Sequence, residues 1–328
     1  MNKSGTKSVT AFLGRYMLEI ILVLLFIIMS FSSPAFLKPA NLLNILRNVS
    51  MTGIIAFGMS FVIIAGEIDL SVGSTVALSG VITALTAGKL SASGGMPMES
   101  AVILGMVFAL LASILIGIFN GFLLTKFKMP SFIITLGMMN LLYGLSAVIS
   151  GGFPVTTLPS WYSWMGAGNL FGVVPVPAVF LLITFVIVFV VLKYTKFGRS
   201  VYAVGGNAES ARLSGINVTL IKIGAMTIVQ FCCAISGIML SSQVMSGTFT
   251  FGKGWEMTAI SAVIIGGASL SGGKGRAWGT FLGILFLGIM SNAMTLNGVD
   301  EYVQYIVQGA LIIGAVLINS LLDRKGKL

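Results

Sequence analysis

The sequence predicts an all-α protein that crosses a membrane about ten times. Its 328 residues are 56% hydrophobic and only 9% charged, whereas soluble domains carry about 25% charged residues. The mean hydropathy of +1.03 is likewise that of an integral membrane protein. A chain with so few charges cannot hide its apolar surface in a soluble core, so we expect a single transmembrane domain over residues 1–328.

Apolar runs of about 20 residues, the length that crosses a bilayer as a helix, recur along the chain. They cover residues 17–33, 100–125, 131–150, 174–192, 218–242, 277–297 and 302–322. Three further apolar segments are shorter or interrupted: 50–65, 70–88 and 255–272. We expect these three to be broken or re-entrant. No clear small-residue cleavage site follows the first run, which is therefore predicted to be a membrane anchor and not a signal peptide.

The Lys and Arg residues predict the orientation. With the N-terminus in the cytoplasm and ten crossings, 15 of the 19 fall on the cytoplasmic side and four outside. Cytoplasmic loops carry such an excess, so both termini are expected there, and the net charge of +10 requires no nucleic-acid partner. The uncharged segment 151–173 then lies outside, where Trp161, Tyr162 and Trp164 suit either the interfacial aromatic belt or contact with a ligand.

The longest cytoplasmic loop, about residues 193–218 between the sixth and seventh spans, contains a short polar helix within GGNAESARLSGINV. Asn207 is placed to accept from the first free N–H groups of that helix. Glu209 lies in the first turn, where negative charge is favoured, and Gly215 suits the left-handed residue that ends a helix. Such a helix could dock into another protein's groove or pack on its own bundle, and the local sequence does not separate the two.

Two acids stand between short apolar segments in AGEIDLSVGS, residues 65–74. Acidic groups at membrane depth are costly and usually functional, so Glu67 and Asp69 are candidates for a broken helix that lines a pathway. The structural alternative is that Asp69 or Ser71 caps the helix beginning near Leu70. The segment VIIGGASLSGG, residues 263–273, weakly resembles residues 62–73.

Neutral amides within the predicted spans are further pathway candidates, and each could instead form an interhelical hydrogen bond. They are Asn120, Asn140, Gln230 and Asn292. Two G-x-x-x-G pairs, at 117/121 and 279/283, permit close helix approach and are expected to pack within the bundle.

Several motifs resemble those of the ribose-type sugar permeases of bacterial ATP-binding-cassette (ABC) importers. The stretch ESARLSG, residues 209–215, is similar to the EAAxxxG coupling loop of such permeases, with Ser210 in place of the second Ala. Further matching stretches run in order along the chain: AGEIDLSVGS (65–74), PSFIITLG (130–137), FGRSVYAVGGN (197–207), ARLSGINV (211–218) and GGASLSGGKGRAWGT (266–280). Glu67 departs from the pattern, in which many relatives have a small residue.

The resemblance implies a subunit that moves a pentose or hexose across the bacterial inner membrane. The residues that would couple it to an ATPase are Asn207, Glu209, Ala211, Arg212 and Gly215. It also implies three partners: an ATPase with two nucleotide-binding domains, usually fused in one chain; a periplasmic or lipid-anchored sugar-binding protein; and a second permease, identical or different. ATP and Mg²⁺ would be bound by the ATPase, because Gly275 follows Lys274 where a P-loop needs Ser or Thr.

The residue types disfavour an enzyme. Histidine is absent, which removes the usual general base and the commonest metal ligand, so we expect no catalytic residue and no metal site. The alternative function is a secondary, ion-coupled transporter of small polar solutes. Such a transporter needs acids in mid-span, and of the nine acids only Glu67 and Asp69 are not clearly at span ends or in loops.

Overall fold

The computed structural model describes residues 16–325, so the predicted cytoplasmic location of residues 1–15 and 326–328 lies outside the described residues. The helices are α1 (Met17–Ser32), α2 (Pro39–Ile64), α3 (Val72–Ala92), α4 (Met98–Lys126), α5 (Ser131–Ile149), α6 (Val176–Tyr194), α7 (Lys196–Gly206), α8 (Ala208–Leu213), α9 (Val218–Val244), α10 (Trp255–Ile265), α11 (Ala277–Leu296) and α12 (Glu301–Lys325). The loop between α5 and α6 adds a 3-10 turn (Ser160–Ser163), a helical turn (Trp164–Ala167) and a hairpin of Asn169–Leu170 with Val174–Pro175.

Seven of the described helices are long and apolar enough to cross a membrane: α2 to α6, α9 and α11. Three shorter apolar helices accompany them: Met17–Ser32, Trp255–Ile265 and Tyr302–Gly314. The prediction of an all-α, multi-pass membrane protein is therefore confirmed. The ten crossings and the orientation stay predictions.

The centre of the bundle is formed by α2 and α9. In the apolar window of α2, 83% of the residues are buried, against 28% in α4 and in α5. α9 packs against α2, α3 and α4. The outer helices expose apolar side chains such as Leu115 and Ile183, which suit contact with lipid. Their backbone polar groups are hydrogen-bonded within each helix, as a bilayer also requires.

Glycines bring these helices into close contact. A Cβ at Gly117 would lie 2.5 Å from the Cα of Thr227 in α9, and one at Gly283 would lie 2.0 Å from the carbonyl oxygen of Ala262 in α10. Both G-x-x-x-G pairs thus pack within the chain, as predicted.

Two of the three segments predicted to be short are in fact full-length helices. α2 begins at Pro39 and not near residue 50, and α3 runs to Ala92. The first half of α2 was missed because Asn44, Arg47 and Asn48 lower its hydropathy. The third prediction is confirmed, since α10 has only 11 residues and ends in a turn.

Tyr162 does not belong to an aromatic belt. Its side chain is fully buried, and its hydroxyl donates to the carbonyl of Ile238 in α9 over 2.9 Å. Trp161 and Trp164, by contrast, are exposed. Tyr162 therefore ties the loop between α5 and α6 to the C-terminal half of α9.

Candidate functional site

The polar stretch between α7 and α9 forms one short, capped helix, α8. Asn207 Oδ1 accepts from the backbone N–H of Ser210 over 2.8 Å, as expected of a cap. Gly215 has φ +81°, and its N–H donates to Arg212 while the next N–H donates to Ala211, both over 3.0 Å. This is the Schellman ending that a left-handed glycine permits. The predicted positions of Asn207, Glu209 and Gly215 in this helix are confirmed, whereas the contact of the five coupling residues with an ATPase stays a prediction.

The outward face of α8 carries an ion pair and one apolar side chain. Arg212 holds both carboxylate oxygens of Glu209, at 2.6 and 3.1 Å, and the two side chains are each 65% exposed. The hydrogen bonds and charge of Arg212 lower the pKa of Glu209. Leu213 is 77% exposed, while Ala211 is buried against the bundle. Ala211 and Leu213 were both expected to give this helix a small, apolar surface suited to another protein's groove, and of the two only Leu213 is exposed.

Four glycines join α7, which leads into α8, to two turns between spans. We call Gly66, Gly205, Gly272 and Gly273 the glycine junction. A Cβ on Gly205 would lie 1.7 Å from the carbonyl oxygen of Ile64, the last residue of α2. The N–H of Gly273 donates to that same oxygen over 2.8 Å, and a Cβ on Gly272 would lie 2.9 Å from the Cα of Gly66. Backbone therefore touches backbone at this point.

The two turns of the junction are built alike. Gly66 follows α2 with φ +82°, and Gly267 follows α10 with φ +88°. In each case the N–H after that glycine donates to the carbonyl five residues earlier. The weak resemblance between residues 62–73 and 263–273 thus corresponds to a shared helix ending, and both turns reach the end of α7.

Asp69 lies fully buried in the turn between α2 and α3. One carboxylate oxygen accepts from the N–H and the hydroxyl of Ser71, at 2.8 and 2.6 Å, and the other accepts from Gln230 Nε2 over 2.7 Å. Asn120 Nδ2 donates to the Ser71 hydroxyl over 3.3 Å. Of the two predicted caps, Ser71 does occupy the N-cap position of α3, which begins at Val72, although no side chain accepts from the N–H groups of its first turn. Asp69 instead fastens the turn to α9.

Glu67 forms a second link between the same turn and α9. Its carboxylate is ion-paired with Lys222, and the two side chains are only 12% and 20% exposed. Lys222 lies in the second turn of α9, just after α8 and its connection. The departure of Glu67 from the family pattern therefore comes with a basic partner that is distant in sequence. Neither acid is open to a coupling ion, since both are engaged within the chain.

The remaining two predicted pathway residues lie elsewhere. Asn140 is exposed on α5 and donates to Leu136 of its own helix over 3.3 Å. Asn292 exchanges two hydrogen bonds with Asn41, at 2.9 and 3.0 Å, and lines a cavity between α2 and α11. The five predicted residues thus form no single site: Glu67, Asp69 and Asn120 gather near the junction, and the other two do not. Their role in transport stays a prediction.

A bundle of long apolar helices, with one short capped helix exposed at a loop, defines a multi-pass membrane protein. The chain belongs to a family of transport permeases, because residues 41–316 match the family described as "Branched-chain amino acid transport system / permease component". That match covers well over half of the chain.

Several relatives of the chain are permeases named for ribose or L-arabinose. The chain is 44% identical over 306 residues to the ribose import permease protein RbsC of Bacillus subtilis (strain 168), which covers 93% of this chain and 91% of the relative. It is 39% identical over 305 residues to RbsC of Escherichia coli (strain K12), covering 92% of each. It is 34% identical over 309 residues to the L-arabinose ABC transporter permease protein AraH of Azospirillum brasilense, covering 94% and 88%. No solved structure matched the chain significantly.

Proposed function

We propose that this chain is the permease subunit of a bacterial ABC importer that carries a monosaccharide across the inner membrane. The observation that carries the proposal is the exposed helix α8, joined through the glycine junction to the turns of two spans. Relatives that import ribose or L-arabinose, matched over most of their length, support a pentose as the first substrate to test.

Motion of α8 can be transmitted to the bundle through a few direct contacts. α8 follows α7 directly, and Gly205 at the end of α7 abuts the last carbonyl of α2. Beyond α8, Asn217 caps α9 by accepting from Leu220 over 3.1 Å. α9 is then tied to the turn after α2 through Lys222 and Gln230. Packed helices change arrangement in discrete steps, so motion of α8 would move α2 and α9 together and switch the access of the pathway.

The resemblance to sugar importers implies three partners, and the surfaces of the bundle support a place for each. The exposed face of α8 would receive an ATPase with two nucleotide-binding domains, fused in one chain, which would bind ATP and Mg²⁺. The opposite end of the bundle would receive a periplasmic or lipid-anchored sugar-binding protein. A second permease, identical or different, would cover part of the outer helices. The amide of Asn140, exposed in mid-span on α5, supports such a contact, because an amide facing lipid is costly.

Ion coupling is the less favoured mechanism. A secondary transporter needs ionisable groups that an ion or proton can reach from the pathway. Asp69 is buried with both oxygens accepting hydrogen bonds, and Glu67 is paired with Lys222. Their contacts point to a mechanical role in holding α2 to α9.

Co-purification of the ATPase tests the docking surface. Glu209→Lys removes the partner of Arg212 and places a positive charge in the first turn of α8, where the helix dipole disfavours it. We expect this variant to lose most of the bound ATPase while it still inserts into the membrane. The matched control is Glu99→Lys, which makes the same change in the first turn of α4, at an exposed site far from α8. Equal ATPase recovery with both variants would show that α8 is not the docking surface.

A further inference from the structure

A cavity of about 370 Å³ lies between α2, α10, α11 and α12. On α2 its lining lies mainly in the first half of the helix, and on α11 mainly in the second half. The last residue of α2, Ile64, reaches the glycine junction, and α11 begins at Ala277, shortly after that junction. The cavity therefore lies toward the end of the bundle opposite α8, where the proposed binding protein would deliver its cargo.

Three apolar helices turn polar stripes toward this cavity. α2 contributes Asn44, Asn48 and Thr52 at intervals of four residues. α11 contributes Ser291 and Thr295, and α12 contributes Gln304 and Gln308, again four apart. Residues four apart share one face of a helix. Polar stripes in membrane helices usually face a protein interior or a water-filled path and mark where a polar substrate passes.

Some polar side chains that line the cavity form hydrogen bonds between helices, and others form none. Gln308 donates to Thr258 of α10 over 2.8 Å, and Gln304 donates to Thr295 of α11 over 3.3 Å, so these amides connect helices. Asn44 and Asn48 are exposed, and within the described part of the chain their side chains form no hydrogen bond. Two amides, each with donors and an acceptor to spare, thus face the cavity from α2.

The chemistry of the cavity fits a neutral ligand with many hydroxyl groups. None of the described residues that line it is charged, and a zwitterion would be bound there without a partner for either charge. Amides and hydroxyls can pair with sugar hydroxyls, while the apolar side chains of Val49 and Leu287 can pack against C–H faces. Its volume is within the range of roughly 300 to 1,000 Å³ of small-molecule sites.

We propose that this cavity is a sugar-binding site of the permease itself, in which Asn44 and Asn48 contact the monosaccharide and help to select it. The inference rests on the proposed function and adds to it. The site would accept the sugar after release from the binding protein. Because its contacts are few and neutral, its affinity would be low, as transfer onward requires.

The first test combines Asn44→Leu with Asn48→Leu, which removes the free amides at nearly constant size. The control is Asn297→Leu, at an exposed amide just beyond the end of α11 that does not line the cavity. We expect the double variant to import D-ribose about tenfold more slowly, as the loss of two neutral hydrogen bonds suggests. Its ratio of ribose to arabinose uptake should also change. The unfolding temperature and the ATPase stimulation by loaded binding protein should stay near those of the control.

The second test needs no ATPase. Asn48→Cys is placed in a Cys232→Ala, Cys233→Ala background, and its reaction with a soluble maleimide is timed with and without millimolar D-ribose. We expect ribose to slow the labelling, and L-leucine at the same concentration to leave it unchanged. Wild-type uptake by the double variant, or labelling that ribose does not slow, would overturn the sugar site. Failure of the intact complex to import any tested sugar would instead contradict the proposed function.

Discussion

At the residue scale, the ending of α8 depends on the backbone of one glycine. Gly215 has φ +81°, and no atom lies within 4 Å of the position of a Cβ, so a larger side chain would meet open space and only the backbone would be strained. We expect Gly215→Val to unwind the end of α8, at a cost of about 1–2 kcal/mol. Gly215→Asn should be tolerated, because asparagine enters the left-handed region more readily.

The measurement for Gly215 is ATP hydrolysis stimulated by loaded binding protein in reconstituted vesicles. The Val variant should lose most of this stimulation, and the Asn variant should keep most of it. Equal stimulation with both would mean that the conformation at residue 215 does not matter for coupling.

Asp69 offers a sharper case, because its contacts specify which atoms must accept. In Asp69→Asn, the amide oxygen can keep the hydrogen bonds from Ser71, but the NH₂ group then faces Gln230 Nε2, which is also a donor. Gln230 thus loses its acceptor in a buried site, which lowers the free energy of unfolding by about 1–3 kcal/mol. We expect lower thermal stability and lower uptake than in Glu67→Gln, which can still accept from Lys222.

The matched rescue of Asp69→Asn is Gln230→Glu, which exchanges acceptor and donor between the two positions. The double variant should regain stability that Asp69→Asn alone has lost. If instead Asp69→Asn is as stable and as active as the wild type, the buried hydrogen bonds of Asp69 do not stabilise the packing of the turn against α9.

The residues that begin and end α8 could be predicted from the sequence. The residues that connect the adjoining helices to the rest of the bundle could not, for a physical reason. The cap at Asn207 and the stop at Gly215 are local signals that act within one helix. Lys222 meets Glu67 across 155 positions of sequence, and Gln230 meets Asp69 across 161. Such pairings depend on how helices pack, which no local pattern specifies.

At the scale of elements, the glycine junction predicts that substitution of Gly205 reduces uptake much more than substitution of its neighbour Gly206. A Cβ at Gly205 would lie 1.7 Å from the Ile64 carbonyl oxygen, whereas one at Gly206 would meet nothing within 4 Å. We expect Gly205→Ala to push α7 away from the end of α2 and to reduce uptake more than tenfold, with some loss of thermal stability. Gly206→Ala should stay within about twofold of the wild type, as surface substitutions usually do.

The comparison uses uptake, thermal unfolding and ATPase co-purification of both variants. Gly205→Ala should retain ATPase binding while uptake falls, since α8 itself is unchanged. Similar uptake by the two variants would show that the contact between α7 and α2 transmits no force.

The ends of the helices were predicted well where the apolar run was unbroken, and poorly where polar residues follow one face of a helix. The hydropathy of α2 falls at Asn44 and Asn48, which belong to the stripe along the cavity, so its first half was taken for a loop. The segment 255–272 was predicted to be short or interrupted because glycines break its apolar run, and the helix there does end early, at Ile265. The same polar residues that hid the helix mark the cavity.

At the scale of the whole molecule, orientation is the prediction to test. Ser160 lies in the loop tied to α9 at Ile238, whereas Lys196 lies beside Phe197, which approaches α9 at Gly224. Those two positions on α9 are about 20 Å apart along the helix axis. In a Cys232→Ala, Cys233→Ala background, Ser160→Cys should label with an impermeant reagent in intact cells, and Lys196→Cys only after the cells are opened. Labelling of both in intact cells would contradict the assigned orientation.

ATP-driven uptake of D-ribose into vesicles containing this chain and its ATPase tests the central claim most directly. With ribose-loaded binding protein outside and ATP on the ATPase side, we predict accumulation that needs both, and that Glu209→Lys abolishes. Accumulation that continues without the ATPase, or that follows an imposed proton or sodium gradient, would contradict the account of α8 as the point where ATP hydrolysis acts on the permease.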